Sequence, residues 1–231
     1  MSDPRRVLLV GATGLIGRSV IDQAPSVPGI SLVALARREI RLPRGARMEM
    51  LLADPADWAG AVAAIQPDAV ICALGTTRAK AGSEDAFREV DERLVLAVAR
   101  AAKDAGASHF CIVSSVGADA GSRNFYLRVK GEVEQALQAM KWHRFDILRP
   151  GLLRGKRDND RRALERLGIA AAPFTNLFLQ GGNRKYRAIA AETVATAALQ
   201  CVREKARGKF VHDNDAIQRS AARLERRLEE A

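Results

Sequence analysis

The chain has 231 residues, 48% of them hydrophobic, which suits one α/β domain or one domain with a small appendage. Lys and Arg outnumber Asp and Glu by 37 to 27, a formal charge of +10 that is compatible with nucleic acid, an anionic membrane or a phosphorylated small molecule. Aromatics at 5% leave few stacking platforms for bases, no apolar run nears the roughly 18–20 residues of a membrane span, and the three distant cysteines have no metal-site spacing.

A membrane protein, a metal site and a nucleic-acid partner are therefore not expected. Cys72, Cys111 and Cys201 sit in apolar runs and read as buried, reduced thiols. With "MSDPRRVLLV" at the N-terminus carrying no signal peptide, the expected location is cytoplasmic.

The first predicted strand is Arg6–Val10, and "VGATGLIGRS" follows it into a helix over Leu15–Ala24. Glycine inside an element costs about 0.5–1 kcal/mol relative to alanine, so three in seven residues need a reason. Gly11 permits a tight turn at the strand end, Gly14 lets the backbone approach a pyrophosphate, and Gly17 lets the helix pack closely on the sheet. The helix N-terminus then offers amide N–H groups and a favourable dipole to phosphate.

The second strand, Leu32–Ala36, ends in Arg37 and Arg38, where an NAD enzyme usually offers an acid to the adenosine ribose. A carboxylate would repel a 2′-phosphate and a guanidinium can grip it with two hydrogen bonds, so NADP(H) is expected in preference to NAD(H). Glu39 is the rival; two residues of boundary shift would bring it to the ribose.

Strand-length runs continue at Met48–Leu52, Ala69–Leu74, His109–Ser115 and Phe145–Pro150, with helical stretches over Asp85–Ala105 and Asn124–Met140 between them. Gly151–Arg187 breaks the rhythm with Gly, Pro and basic residues, the surplus concentrating between Arg154 and Arg166 and at Arg184, Lys185 and Arg187. A helix near Glu192–Arg203, a strand at "KFVHD" and an amphipathic helix from Asp215 close the chain. Continuously apolar strands alternating with helices predict a parallel sheet covered on both faces. The expected fold is one Rossmann-like α/β domain over 1–231. It is doubly wound on a mostly parallel sheet of about seven strands, and 151–231 includes a short substrate-side appendage and the C-terminal helix.

The chemistry concentrates in "SSVGADAGSRNFYLRVKGEVE". Tyr126 and Lys130 are four apart in a helical stretch and share a face. A free tyrosine titrates at about 10, and a lysine cation beside it favours the phenolate. Tyr126 can then pass a proton to a carbonyl oxygen as hydride arrives, and a serine can steady that oxygen. Ser114 lies twelve residues before Tyr126 and Ser115 eleven, and strand alternation sends them to opposite faces. From the residues alone either serine fits the role. His109, His143 and His212 form no ligand set or triad order and read as core or surface residues. Ile217, Ala221, Leu224 and Leu228 make an apolar stripe that packs on its own domain by default, a homodimer or protein partner being the alternative.

The stretches "GATGLIG", "ARRE", "CALGTTRAKAG", "SSVGADAGSRNFYLRVKGEVE" and "FDILRPGLL" resemble the short-chain dehydrogenases/reductases, in the atypical group that includes the Tat-interacting-protein-like oxidoreductases. The resemblance runs from the first strand to about Leu153. It implies a Rossmann fold, an NADP(H) site and a Ser-Tyr-Lys catalytic group, with Ser114 preferred as its serine and Ser115 left open. By it, Thr13, Gly14, Leu15 and Ile16 line the phosphate loop, and Arg37 and Arg38 hold the adenosine phosphate. Asp54 meets the adenine, Leu74, Gly75 and Thr76 border the nicotinamide ribose beside Tyr126 and Lys130, and Leu153 and Arg157 follow the cofactor's other end. One departure stands out. Asp91 occupies the place where many of these enzymes carry an asparagine in a proton relay.

The activity expected is hydride transfer between NADP(H) and a small-molecule carbonyl or alcohol. The alternative is an NADPH-binding regulatory or sensor protein without significant turnover, motivated by the short stretch available after Gly151 to build a substrate pocket.

Overall fold

The computed structural model describes residues 3–46, 48–155 and 187–230. Strands β1 (Arg5–Val10), β2 (Ile30–Ala36), β3 (Glu49–Leu52), β4 (Ala69–Cys72), β5 (His109–Val113), β6 (Arg144–Leu148) and β9 (Gly208–His212) form a seven-stranded sheet in the order β3-β2-β1-β4-β5-β6-β9. Each neighbouring pair is parallel. A second sheet pairs β7 (Leu153–Arg154) with β8 (Ile189–Ala190). The strand order reverses between β1 and β4. Ligands of open parallel sheets bind in the crevice at the carboxyl ends flanking such a reversal.

The helices cover both faces because β1, β4, β5 and β6 are buried along nearly their whole length. One apolar layer joins α1 (Leu15–Gln23), α7 (Ala191–Arg203) and α8 (Asn214–Glu229) to the sheet through residues such as Val7, Leu9, Val20 and Leu199. The other lies under α2 (Trp58–Ile65), α5 (Leu94–Asp104) and α6 (Phe125–Ala139), around Leu8, Val10, Phe87, Phe110 and Val129. The short helices α3 (Arg78–Ala81) and α4 (Glu84–Arg88) precede α5, and the five residues Glu89–Arg93 between α4 and α5 form a π-helical turn.

Elements after residue 187 build the body of the domain: β9 is its seventh strand, α7 packs on α1, and α8 packs on α7. The stripe on α8 is spent inside the domain. Ile217, Ala221 and Leu224 are buried and Leu228 packs against the same layer. Asp213 caps α8 by accepting the Ala216 N–H at 2.8 Å. The three cysteines are free and buried.

Two of the three histidines, unassigned from sequence, meet in a buried polar cluster on the α7 side. Asp146 Oδ2 lies 2.7 Å from His109 Nε2, and Asp146 Oδ1 lies 2.7 Å from His212 Nε2. The Arg144 guanidinium grips both oxygens, at 2.7 and 2.9 Å. Asp146, Cys201 and His212 do bring three ligand-type atoms within 4.8 Å of one another. With Arg144 on both carboxylate oxygens, however, the group is already neutralised, and Asp146 serves a structural role.

Burial alone would raise the Asp146 carboxyl, but His109, His212 and Arg144 hold it well below the ordinary range. Burial would lower His212, yet its bonds to Asp146 and Cys201 hold it up at about 9. Burial lowers His109 despite Asp146. Each shift has a sign in stability. His212, raised, stabilises fully below the unfolded value of about 6.5 and loses this as pH rises through about 9. Asp146, depressed, stabilises above about 4 and loses this as pH falls further, and His109, lowered, costs stability as pH drops below about 6.5. Denaturant melts across pH are therefore expected to show a maximum near neutrality. Asp146→Asn, which leaves Arg144 without its anion, is expected to cost about 3–5 kcal/mol at pH 7 and to flatten the alkaline slope. An Asn variant with native stability and an unchanged slope would contradict the role given to the cluster.

Candidate dinucleotide and catalytic site

A groove of about 480 Å³ opens at the reversal between β1 and β4. Gly11 to Gly14 form one wall, Leu35 to Arg38 and Trp58 the next, and Ala73 to Thr76 with Val90 and Leu94 close it. The glycine turn is dictated by space. At Gly11, φ is +85°, and an added Cβ would sit 2.4–2.6 Å from the Ala73 and Leu74 backbone. At Gly17, an added Cβ would lie 2.2 Å from the Gly11 carbonyl oxygen, so α1 can start this close to the turn only without a side chain there. At Gly14 the same atom would stand 3.2 Å from that oxygen, a tight but tolerable contact. Gly14 is the N-cap of α1 and supplies no side-chain cap, so the first amides of the helix are served by no side chain at their own cap. This cradle fits a pyrophosphate.

Arg37 and Arg38 both line the groove and are exposed, and Glu39 is not among its lining residues. Trp58, which sequence reasoning passed over, contributes a buried ring whose Nε1–H donates to the Ala53 carbonyl at 3.1 Å. Asp54 follows β3 and accepts the Ala56 N–H at 3.0 Å, capping a short turn outside the groove lining. Thr13, Leu74, Gly75 and Thr76 line the groove, and Leu15 and Ile16 open α1 behind it. Leu153 lies in β7, which leads directly to Gly155; a Cβ there would come within 2.9 Å of the Leu15 side chain, so this segment passes over the start of α1. Arg157 lies outside the described residues.

Tyr126 and Lys130 occupy one face of α6, whose N-terminus is capped by Asn124 accepting the Leu127 N–H at 3.2 Å. The Tyr126 ring stands edge-on to buried Phe87, with centroids 5.8 Å apart. Lys130 is 5% exposed, and its Nζ lies 2.8 Å from Asp91 Oδ1. The other oxygen of Asp91 accepts the Thr76 N–H at 2.7 Å. A Cβ on Gly75 would be 3.5 Å from Asp91 Oδ1 and 3.8 Å from Lys130 Nζ, which puts the ion pair directly beneath the groove floor. Burial pushes the Lys130 ammonium down, but the charges of Asp91 and Tyr126 raise it above the ordinary lysine value. Neighbouring Cys72 has its thiol pushed up to about 11 by burial, although a hydrogen bond at Leu74 and the charge of Lys130 favour the thiolate.

Ser114, the first residue past β5, is buried and donates to Glu134 Oε1 at 2.5 Å, while Arg149 binds the same carboxylate. Half-buried Ser115 directs its hydroxyl, among the described residues, to the Val116 carbonyl at 3.3 Å. The loop carrying them lies against α6 because residue 131 has no side chain. A Cβ at Gly131 would fall 2.2 Å from the Ala120 nitrogen. The glycine after Lys130 was legible as part of a motif, but not as the contact that seats the serine loop on the tyrosine helix.

The family model described as NAD(P)H-binding matches residues 11–205. Protein FMP52 of Eremothecium gossypii, named as mitochondrial, is 40% identical over 177 residues, covering 76% of this chain and 77% of the relative. FMP52 of Saccharomyces cerevisiae, also named as mitochondrial, is 36% identical over 174 residues, covering 74% and 75%. Among solved structures, the Bordetella bronchiseptica enzyme WbmH in complex with NAD+ superposes with a TM-score of 0.68 at 15% identity, covering 91% of this chain and 76% of that one. UDP-glucose 4-epimerase of Thermotoga maritima gives 0.68 at 14%, covering 97% and 82%. At these identities the likeness concerns the fold, which is Rossmann-like as expected. The expected cytoplasmic location is overturned, because the fungal relatives are named as mitochondrial proteins. Reduced, buried thiols and a basic surplus do not separate the two compartments.

Space at the glycines separates folding from binding. Gly17→Val is expected to prevent folding. Gly14→Val is expected to keep the circular dichroism spectrum and melting transition while losing NADPH binding by calorimetry. Normal NADPH affinity in a folded Gly14→Val protein would contradict the phosphate cradle.

Proposed function

The chain belongs to the NAD(P)H-binding family, and from that premise we propose that it is an NADP(H)-dependent oxidoreductase of the atypical short-chain dehydrogenase/reductase type. It reduces a carbonyl or oxidises an alcohol, working as a single dinucleotide-binding unit whose substrate side comes from the region after Gly151. The observation that carries this reading is the buried Lys130 ammonium, under Gly75 at the groove floor and one helical turn from Tyr126. A lysine kept charged at that depth is costly, and perturbed buried cations cluster at functional sites.

In this reading the α1 amides and the Thr13–Ile16 stretch bind the pyrophosphate, and Arg37 and Arg38 bind the adenosine 2′-phosphate. Asp54 and Leu153 serve the cofactor's adenine side and other end. The nicotinamide, when bound, supplies or accepts the hydride. Lys130 binds the adjoining ribose from below and holds positive charge beside the Tyr126 oxygen. Tyr126, its ring fixed against Phe87, moves a proton between its hydroxyl and the substrate oxygen. A serine hydroxyl steadies that oxygen. Ser114 must turn from Glu134 to do so, whereas Ser115 gives up only a long bond to a carbonyl.

Two measurements test the assignment. Replacing Arg37 and Arg38 together by alanine is expected to weaken NADPH binding about ten- to a hundredfold with little effect on NADH, since a charge-assisted hydrogen bond contributes about 1.5–3 kcal/mol. Equal NADPH and NADH affinities in the unmodified protein would contradict the preference. Tyr126→Phe keeps the ring and removes the hydroxyl, so NADPH should still bind while reduction of an aldehyde and ketone panel falls about 10²–10⁴-fold. A reductase with a fully active Tyr126→Phe variant would overturn the role of Tyr126. If the unmodified protein binds NADPH and reduces nothing in the panel, that would overturn the enzymatic reading.

A further inference from the structure

We propose that Asp91 is the positioning residue for Lys130, its carboxylate holding the buried ammonium aimed at Gly75 and tying it to the Thr76 amide, so that the nicotinamide end of the groove floor is set before cofactor arrives. The proposal rests on the reading of Lys130 as the lysine that contacts the cofactor.

Asp91 is 1% exposed, on the π-helical turn between α4 and α5. Such turns re-aim side chains and recur at functional sites. Here the turn sends Val90 and Leu94 to the groove wall and Asp91 beneath the floor. One carboxylate oxygen lies 2.8 Å from the ammonium, and the other takes the Thr76 N–H at 2.7 Å. The carboxylate therefore joins three elements: the π turn, the strand-end loop after β4, and α6. A neutral side chain of the same shape could still accept from Thr76 but could not balance the lysine charge.

Among the described residues, three titratable groups act on Lys130. Asp91 faces it from the π turn, Cys72 from β4 and Tyr126 from its own helix. One turn further along α6, Glu134 is engaged by Ser114 and Arg149. Without Asp91 the lysine keeps its burial and loses its counter-ion, and a buried lysine in that condition gives up its proton near neutral pH. An uncharged amine at the floor holds the cofactor less well.

NADPH affinity, followed by fluorescence titration between pH 7 and 9 with melting curves as folding controls, reads this directly. The unmodified protein is expected to bind equally well across the range. Asp91→Asn is expected to bind about tenfold more weakly, with the deficit growing as pH rises. Asp91→Glu retains the charge at a displaced position, so a moderate loss without pH dependence is expected, and this variant carries the test if Asp91→Asn fails to fold. Lys130→Met is expected to weaken binding by a similar factor, and Asp91→Asn added to it should weaken binding no further, because Asp91 acts through the lysine. Asp91→Asn with unmodified affinity at every pH, while Lys130→Met binds weakly, would overturn the positioning role and leave the cofactor reading intact. So would a pH-dependent loss in Asp91→Glu equal to that in Asp91→Asn. Unmodified affinity in Lys130→Met would overturn the reading of Lys130, and this inference with it.

Discussion

The site depends on a backbone-to-backbone contact at the carboxyl ends of β1 and β4. The Gly11 turn lies against Ala73 and Leu74 so closely that any Cβ would overlap their main chain, and α1 begins against the same turn through Gly17. That contact fixes where the helix N-terminus points and how near it comes to the loop after β4. The start of α1 and the loop after β4, on opposite sides of the groove, are thereby held in one frame. Side chains then add specificity to a geometry that the main chain already defines.

A second layer of constraint secures the chemical end. Gly131 lets the loop after β5 rest on α6, Phe87 fixes the Tyr126 ring, and Asp91 links the groove floor to the lysine. Each is a contact between distant parts of the chain. The energetic logic is uneven: apolar packing of Phe87 and Val129 stabilises the fold outright, whereas the Lys130–Asp91 pair sets two desolvated charges against each other with little net gain. In the proposed function, the positive charge itself is what the pair supplies beneath the groove floor. The cluster around Asp146 is its structural counterpart, on the opposite face of the sheet and apart from the groove.

The parallel architecture was legible because its signals are local: continuous apolar strands, helical spacing between them, and glycines where a strand must turn at once into a helix. All seven strands of the main sheet fall in or beside runs that the pattern marks, β9 among them. Short α2 and α3 were passed over, α2 because an alanine-rich stretch with little polar contrast shows no amphipathic period. The polar interior was hidden for a different reason. His109 and His212 stand 103 positions apart and Asp146 lies between them, so nothing in sequence order announces that they meet. Asp91 could be placed by resemblance, but its bond to Lys130 needs the π turn, which has no composition signal. Location was the expectation that failed, because composition does not encode the compartment.

A crystal structure of the protein with NADP+ tests the central claim most directly, through the distances from cofactor to chain. The account predicts the pyrophosphate within hydrogen-bond reach of the amides at the start of α1, the 2′-phosphate on Arg37 or Arg38, and a nicotinamide-ribose hydroxyl about 3 Å from Lys130 Nζ. A cofactor bound with its pyrophosphate away from that helix, or with its nicotinamide end turned away from Lys130 and Tyr126, would contradict it.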